Sequence, residues 1–422
     1  MKTIAVVCLL ALLAACSDYK SPTSPVTPPP EGQTVSVVYC DTYTPLWVGF
    51  EDGDGAWTHV QPLSTNGTRV YRFTFASNRG AIATVLEASP GTTSLQVLYG
   101  APTELASIGL NTPRICGITG DKKLLGTVAG VDSTDVAVVR SGSGTLTTAH
   151  SGEDFAIDHL ADGPQDILAS RATLVNPGEQ LLTKFILRRG VNLPDNSSLP
   201  VLDFGAPESF APVVANVTVG GDGVDGAYLL SLLRTANFED QFSIPFPGAT
   251  GLTQSYYALP EAQLAAGDLQ ELNASTHGST PGASRNVRLY FRTPVDRALE
   301  FGPDVITPTF TTLASTPSLR IRAQFVAQDD YDRQTAIAYF GPTTTVAVLM
   351  TATYAAVAGG YDLVMPELAG VAGFDVAWEL PVAASVRWAA NRMGGTLGLG
   401  IDPVPTEGAI RRAASAGDVI TP

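Results

Sequence analysis

Charge is scarce in this chain, and cysteine and histidine are scarcer still. Only 15% of the 422 residues are Asp, Glu, Lys or Arg, and 25 basic residues stand against 40 acidic ones, a formal net charge of −15. Nucleic-acid binding needs concentrated Lys and Arg, so the balance argues against that class of partner. It argues equally against a second, electrostatic hold on anionic lipid. The four cysteines include no pair at ligand spacing and no neighbouring His, which speaks against a zinc site. The four histidines, His59, His150, His159 and His277, form no H-E-x-x-H arrangement, and each reads as a surface or strand residue. No G-x-S-x-G elbow, P-loop or dinucleotide fingerprint is present. A Ser-His-Asp triad could be assembled from distant residues, but Ser and Asp are too abundant for that to discriminate. No solenoid or propeller period appears, and no second apolar run approaches membrane-spanning length.

What is present is apolar and turn-rich. Apolar residues make up 45%, with 41 Gly and 30 Pro, which reads as many short strands joined by many turns. The expected class is therefore all-β: several antiparallel β-sandwiches, immunoglobulin-like or transthyretin-like, with very little helix.

The N-terminus has its own grammar. Lys2 is followed by an unbroken apolar run, Ile4 to Leu13, then Ala14 and Ala15. This is the layout of a secretory signal peptide over residues 1–15, too short to span a bilayer as a mature anchor. The Leu13-Ala14-Ala15-Cys16 segment resembles a bacterial lipobox. The resemblance implies that the leader is cut before Cys16 and that this cysteine is acylated on its thiol and its new amino group. Several acyl chains anchor a protein stably where one would not. By resemblance to enterobacterial sorting, Ser17 after the cysteine favours the outer membrane, with the bilayer as partner; which face is left open. Residues 16–32 then carry five prolines among Ser, Thr and Gly and read as a stiff, extended tether.

With Cys8 in the leader and Cys16 acylated, Cys40 and Cys116 remain in an oxidising compartment and are expected to pair. Closing that loop would contribute about 4–4.5 kcal/mol on the chain-entropy account.

Residues 33–118 read as a first sandwich. Val35, Val37 and Tyr39 fall on one face of an extended chain, as do Tyr71, Phe73 and Phe75, and WVGFEDGDGAW reads as a hairpin. In residues 119–200, Gly126-x-Val128, Phe155-x-Ile157-x-x-Leu160 and Gly163-x-x-Asp166-Ile167-Leu168-Ala169 resemble carboxypeptidase-regulatory, transthyretin-like modules. That likeness implies an accessory sandwich and carries no active-site residue. Residues 201–395 read as one or two further sandwiches. There Val287, Leu289 and Phe291 alternate with Arg288, Tyr290 and Arg292, and Leu319, Ile321, Ala323 and Phe325 alternate with polar residues. The clearest helical candidate, Leu259 to Gly267, spans one or two turns. Residues 396–422 lose alternation and are expected to form an irregular tail.

Three acidic turns offer oxygen ligands: Asp52 and Asp54, Asp222 and Asp225, and Asp329, Asp330 and Asp332. Calcium takes six to eight oxygens, but the twelfth residue from Asp52 is Leu63, so this is no EF-hand loop. Solvated turns, in which Asp and Gly serve the backbone, explain the same residues. No other cofactor is expected. Trp47, Trp57, Tyr256 and Tyr257 would form a sugar- or protein-binding platform if exposed, and core if buried. The sequence thus points to a lipid-anchored envelope protein with non-catalytic β-sandwiches, serving binding, adhesion or a structural role toward a protein or glycan. An exported hydrolase or carbohydrate-binding protein acting on polysaccharide is the alternative.

Overall fold

Alternation in the sequence becomes alternation in burial. The computed structural model describes residues 32–40, 44–65, 68–107, 122–141, 147–160, 162–176, 179–243, 251–280, 282–397 and 404–422, with 56% strand and 6% helix. It is an all-β assembly of packed, mainly antiparallel sheets.

At the N-terminus, Gln33–Cys40 pairs antiparallel with Thr68–Phe75, placing Val35 opposite Phe73 and Val37 opposite Tyr71. Both apolar rows turn inward onto Val48, Ile82 and Leu98, so this small sheet covers one face of Trp47–Asp52, Gly80–Ser89 and Thr92–Gly100. The opposite face of those three strands is also dry. Trp47, Ala83 and Val97 join Ile321, Ile337 and Trp388 in the largest core. That core lies between the main sheet and the three strands Thr309–Ala314, Arg320–Phe325 and Tyr361–Val364.

The main sheet has twelve strands among the described residues. Its order is Phe238–Ser243, Tyr228–Thr235, Leu269–His277, Ser284–Phe291, Ile410–Ile420, Val386–Gly395, Gln334–Phe340, Thr344–Thr351, Thr92–Gly100, Gly80–Ser89, Trp47–Asp52 and Thr58–His59. The N-terminal strands therefore complete a sheet begun some 250 residues later. The join is parallel, with Val346 opposite Leu95 and Val348 opposite Val97. At the far end, Val213–Gly220, Thr253–Ala258 and Arg297–Glu300 pack over the strands around Leu229, Leu272 and Val287.

Residues 122–204 form a separate sandwich around Leu124, Val139, Phe155, Ile157 and Ile186. Here Gly126 stands directly opposite Phe155. An added Cβ at Gly126 would run into the Phe155 ring, so the ring occupies the room the glycine leaves. The outer face of this sandwich docks on the rest of the chain through Leu168, Phe185, Leu233 and Tyr257. A polar clasp reinforces that contact: Asp166, 3% exposed, accepts from Thr235 Oγ1 at 2.6 Å, and Arg189 reaches Asp268 at 2.5 Å.

One expectation is corrected and another narrowed. Residues 396–422 are not an irregular tail, because Ile410–Ile420 is a central strand paired on both sides, with Ser284–Phe291 and Val386–Gly395. Its alternation of Ala with Ser, Arg and Gly carries too little hydrophobic contrast to announce itself. The Leu259–Gly267 candidate, read as one or two turns, is a single 3-10 turn at Glu261–Gln263, since Leu264 turns extended and is buried against Phe238 and Tyr257. A longer helix, Ala352–Ala358, follows directly on the strand Thr344–Thr351. Thr351 caps its start by accepting from the Tyr354 N–H, and Gly359, at φ 84°, closes its end in the left-handed region. Cys116 lies outside the described residues, as do residues 1–31 and the Cys40 side chain.

Candidate functional site

Two of the three acidic turns have carboxylates engaged within the fold. Asp52 accepts from the backbone N–H groups of Ala76 and Ser77 at 3.0 and 2.9 Å, and Asp54 pairs with Arg79. The backbone carbonyl of Asp222 accepts from Arg285 at 2.8 Å, while Asp225 belongs to the same Gly-rich turn. Asp329 and Asp330 occupy one helical turn; Asp330 lies 3.8 Å from Arg412, and Asp332 lies 3.8 Å from Arg333. In the first and third clusters carboxylates thus turn to arginines or to backbone N–H groups. No group of three or more His, Cys, Asp or Glu side chains converges at metal-ligand geometry among the described residues.

Of the two readings open for the aromatic residues, the structure shows the core. Trp47 is 2% exposed, Tyr256 1% and Tyr257 5%, and all three pack in cores. Trp57 is half-buried against the largest core. The reason is area: a Trp or Tyr facing a covering sheet removes more apolar surface from water than any other side chain at that position. Trp47 also uses its indole N–H, donating to the Ala372 carbonyl at 3.1 Å, and stacks on His59.

One carboxyl does stand apart. Glu51 shares a strand face with Trp47 and is half-buried beside Asp54, Arg79 and the Tyr99–Tyr354 ring pair. Burial, with the negative charge of Asp54 adding to it, pushes its carboxyl up to about 7 against the pull of Arg79. A carboxyl poised there can hold or release a proton near neutrality.

A second arrangement was not anticipated. Along the main sheet, Leu269–His277, Ser284–Phe291 and Ile410–Ile420 send Leu272, Val287 and Leu289 into the core, so the intervening residues should meet water. Two polar ones do not: Glu271 and Tyr290, cross-strand neighbours on that outer face, are each 3% exposed. Around them stand Arg288, whose Nη1 lies 3.7 Å from Glu271 Oε1, Arg411 opposite Arg288, and Arg234, 3.4 Å from Glu239. Burial raises the Glu271 carboxyl above the usual carboxylate range despite Arg288, and pushes the Tyr290 phenol up to about 12. Burial likewise lowers the Arg411 guanidinium. Arg234 also lines a cavity of about 410 Å³ with Thr235, Gly267, Leu269, Val404 and Pro405, at the end of these strands where Leu269 lies two residues from Glu271. Leu269 and Tyr290 belong to one apolar cluster with Leu397 and Ala409, which ties the cavity wall to the charged group. The only signal for this site in the sequence was a run of arginines on strands, which reads equally well as a solvated face. No protein-family model matches the chain, and no curated protein matches it.

Proposed function

We propose that the chain is a lipid-anchored protein of a Gram-negative-type envelope, held at the outer membrane by an acylated Cys16 and acting as a non-catalytic binding module. The observation that carries the anchor is Leu13-Ala14-Ala15-Cys16 at the end of an apolar run and ahead of a proline-rich segment. Residues 16–32 serve as tether, residues 119–200 as an accessory sandwich of the carboxypeptidase-regulatory kind, and a Cys40–Cys116 bridge staples the first segment. The binding role is supported by the cavity beside Arg234 and the charged group on the outer face of the main sheet. Replacing Cys16 with Ser tests the anchor: the leader should stay attached and the protein should leave the acylated membrane fraction, whereas a processed, membrane-bound product overturns it. Non-reducing mass analysis should find Cys40 joined to Cys116, and two free thiols would defeat the bridge.

An exported hydrolase is the rival reading, favoured by Glu51 with its carboxyl near 7. Its neighbour Asp54 is engaged by Arg79, so Glu51 would act as a lone acid or base. If polysaccharide is cleaved and Glu51→Gln abolishes the cleavage, the hydrolase replaces the binding module.

A further inference from the structure

We infer that the group formed by Arg288, Arg411, Glu271 and Tyr290, together with the adjoining cavity, is a binding site for an organic oxyanion: a small ligand with a carboxylate or phosphate head and an apolar body. The inference rests on the binding role proposed above and is independent of the lipid anchor.

Arg288 and Arg411 stand directly opposite one another across an antiparallel pair. Like charges so placed repel, and a protein with 25 basic residues against 40 acidic has acids to spare for separating them. It has not done so. Arg288 reaches only Asn286 Oδ1 at 3.4 Å and Glu271 at 3.7 Å. The Arg411 side chain makes no hydrogen bond or ion pair among the described residues. A guanidinium offers five donors in a planar fork; with the Arg288 side chain 36% exposed, water meets part of them, and a ligand oxyanion would replace that water with charge-assisted bonds.

The single acid at the centre does not cancel this excess. Glu271 is 3% exposed, its Oε1 has no hydrogen-bond partner, and burial favours its neutral form. A second negative charge, carried in by a ligand, would relieve the Arg288–Arg411 repulsion and occupy both forks. The apolar body has a place to go, because the cavity beside the group is walled by Leu269, Val404 and Pro405. Val404 is 85% exposed and would be covered by such a ligand. The volume of about 410 Å³ suits a molecule of the size of a substituted benzoate or a short acyl carboxylate.

The test uses the full-length acylated protein in a non-ionic detergent and follows 4-fluorobenzoate by fluorine NMR. Binding is expected, with inorganic phosphate competing for the head site and the neutral 4-fluorobenzyl alcohol binding at least tenfold more weakly. Arg411→Gln and Arg288→Gln should each weaken binding about tenfold, while Arg411→Lys keeps the charge, loses the fork and falls between. Removing one member of a repelling pair should also leave the melting temperature of unliganded Arg411→Gln equal to or above wild type; a clear fall would assign Arg411 a structural role and overturn the inference. Equal binding by the variants, equal binding of the alcohol, or no binding of either anion would overturn it too. In the last case, glycan-array or pull-down capture that is unchanged by Arg411→Gln would leave the binding role standing. No capture at all would remove that role along with the site.

Discussion

The two ends of the main sheet obey different rules. At the N-terminal end, Gly80–Ser89 is buried at each of its first six positions, because one face meets the Gln33–Cys40 sheet and the other the largest core. Toward the C-terminal strands the sheet is covered on one side only, and Val386–Gly395 alternates between buried and open positions. The same ladder thus serves as an interior wall at one end and as a surface at the other. A polar residue at the walled end must find its partner inside. At the open end a polar residue can face water, and that is what makes the burial of Glu271 and Tyr290 informative.

The strongest way to break this contrast is to cut the sheet at its middle. Ending the chain after Ala409 removes the strand Ile410–Ile420, which holds Ser284–Phe291 to Val386–Gly395. Loss of a single cooperative melt by circular dichroism is expected, and a wild-type melt would show the strand to be dispensable. Next comes Arg392, 1% exposed, which donates to the Val326 carbonyl at 2.8 Å, to Gln328 Oε1 at 2.9 Å and to Thr335 Oγ1 at 3.2 Å. Arg392→Ala orphans those acceptors and leaves a void, for an expected loss of about 3–5 kcal/mol in urea unfolding. At the walled end, Ile82→Ala should cost about 2–3 kcal/mol, whereas Ala389→Ser on the open face should stay within about 0.5 kcal/mol. Similar losses at the two sites would erase the distinction.

Glu51 adds a pH signature. Its folded carboxyl titrates at about 7, above the ordinary 4.5, so the native state binds more protons than the unfolded chain between those values. Stability therefore falls as pH rises from about 4.5 to 7, by roughly 1 kcal/mol after allowance for solvent screening at this half-buried site. Glu51→Gln should flatten that decline when melting temperatures are compared at pH 5 and pH 7.5.

Much of the fold was legible locally. The rows Val35-Val37-Tyr39 and Tyr71-Phe73-Phe75 are buried at 0–3% and meet in register, as period-two apolar rows must when a second layer covers them. Leu319, Ile321, Ala323 and Phe325 behave the same way. The candidate site was not legible, for two reasons. Arg288 and Arg292 read as a solvated face, and nothing local says that Arg411, more than a hundred residues on, will stand opposite the first of them. Nor does local pattern show which face of a strand a third layer will cover, so the same Trp and Tyr residues fit a binding platform or a core until that layer is placed.

Side-chain alternation and turn chemistry act over a few residues, so the class of structure and the character of each strand face follow from the order of residues alone. The tertiary structure decided the partners. It set Thr92–Gly100 beside Thr344–Thr351, drew the last eleven-residue strand into the centre of the sheet, and brought two arginines face to face beside a buried glutamate. Those choices depend on which surfaces remain uncovered once every local element has formed. Burial of the whole chain settles that, and no short stretch of residues encodes it.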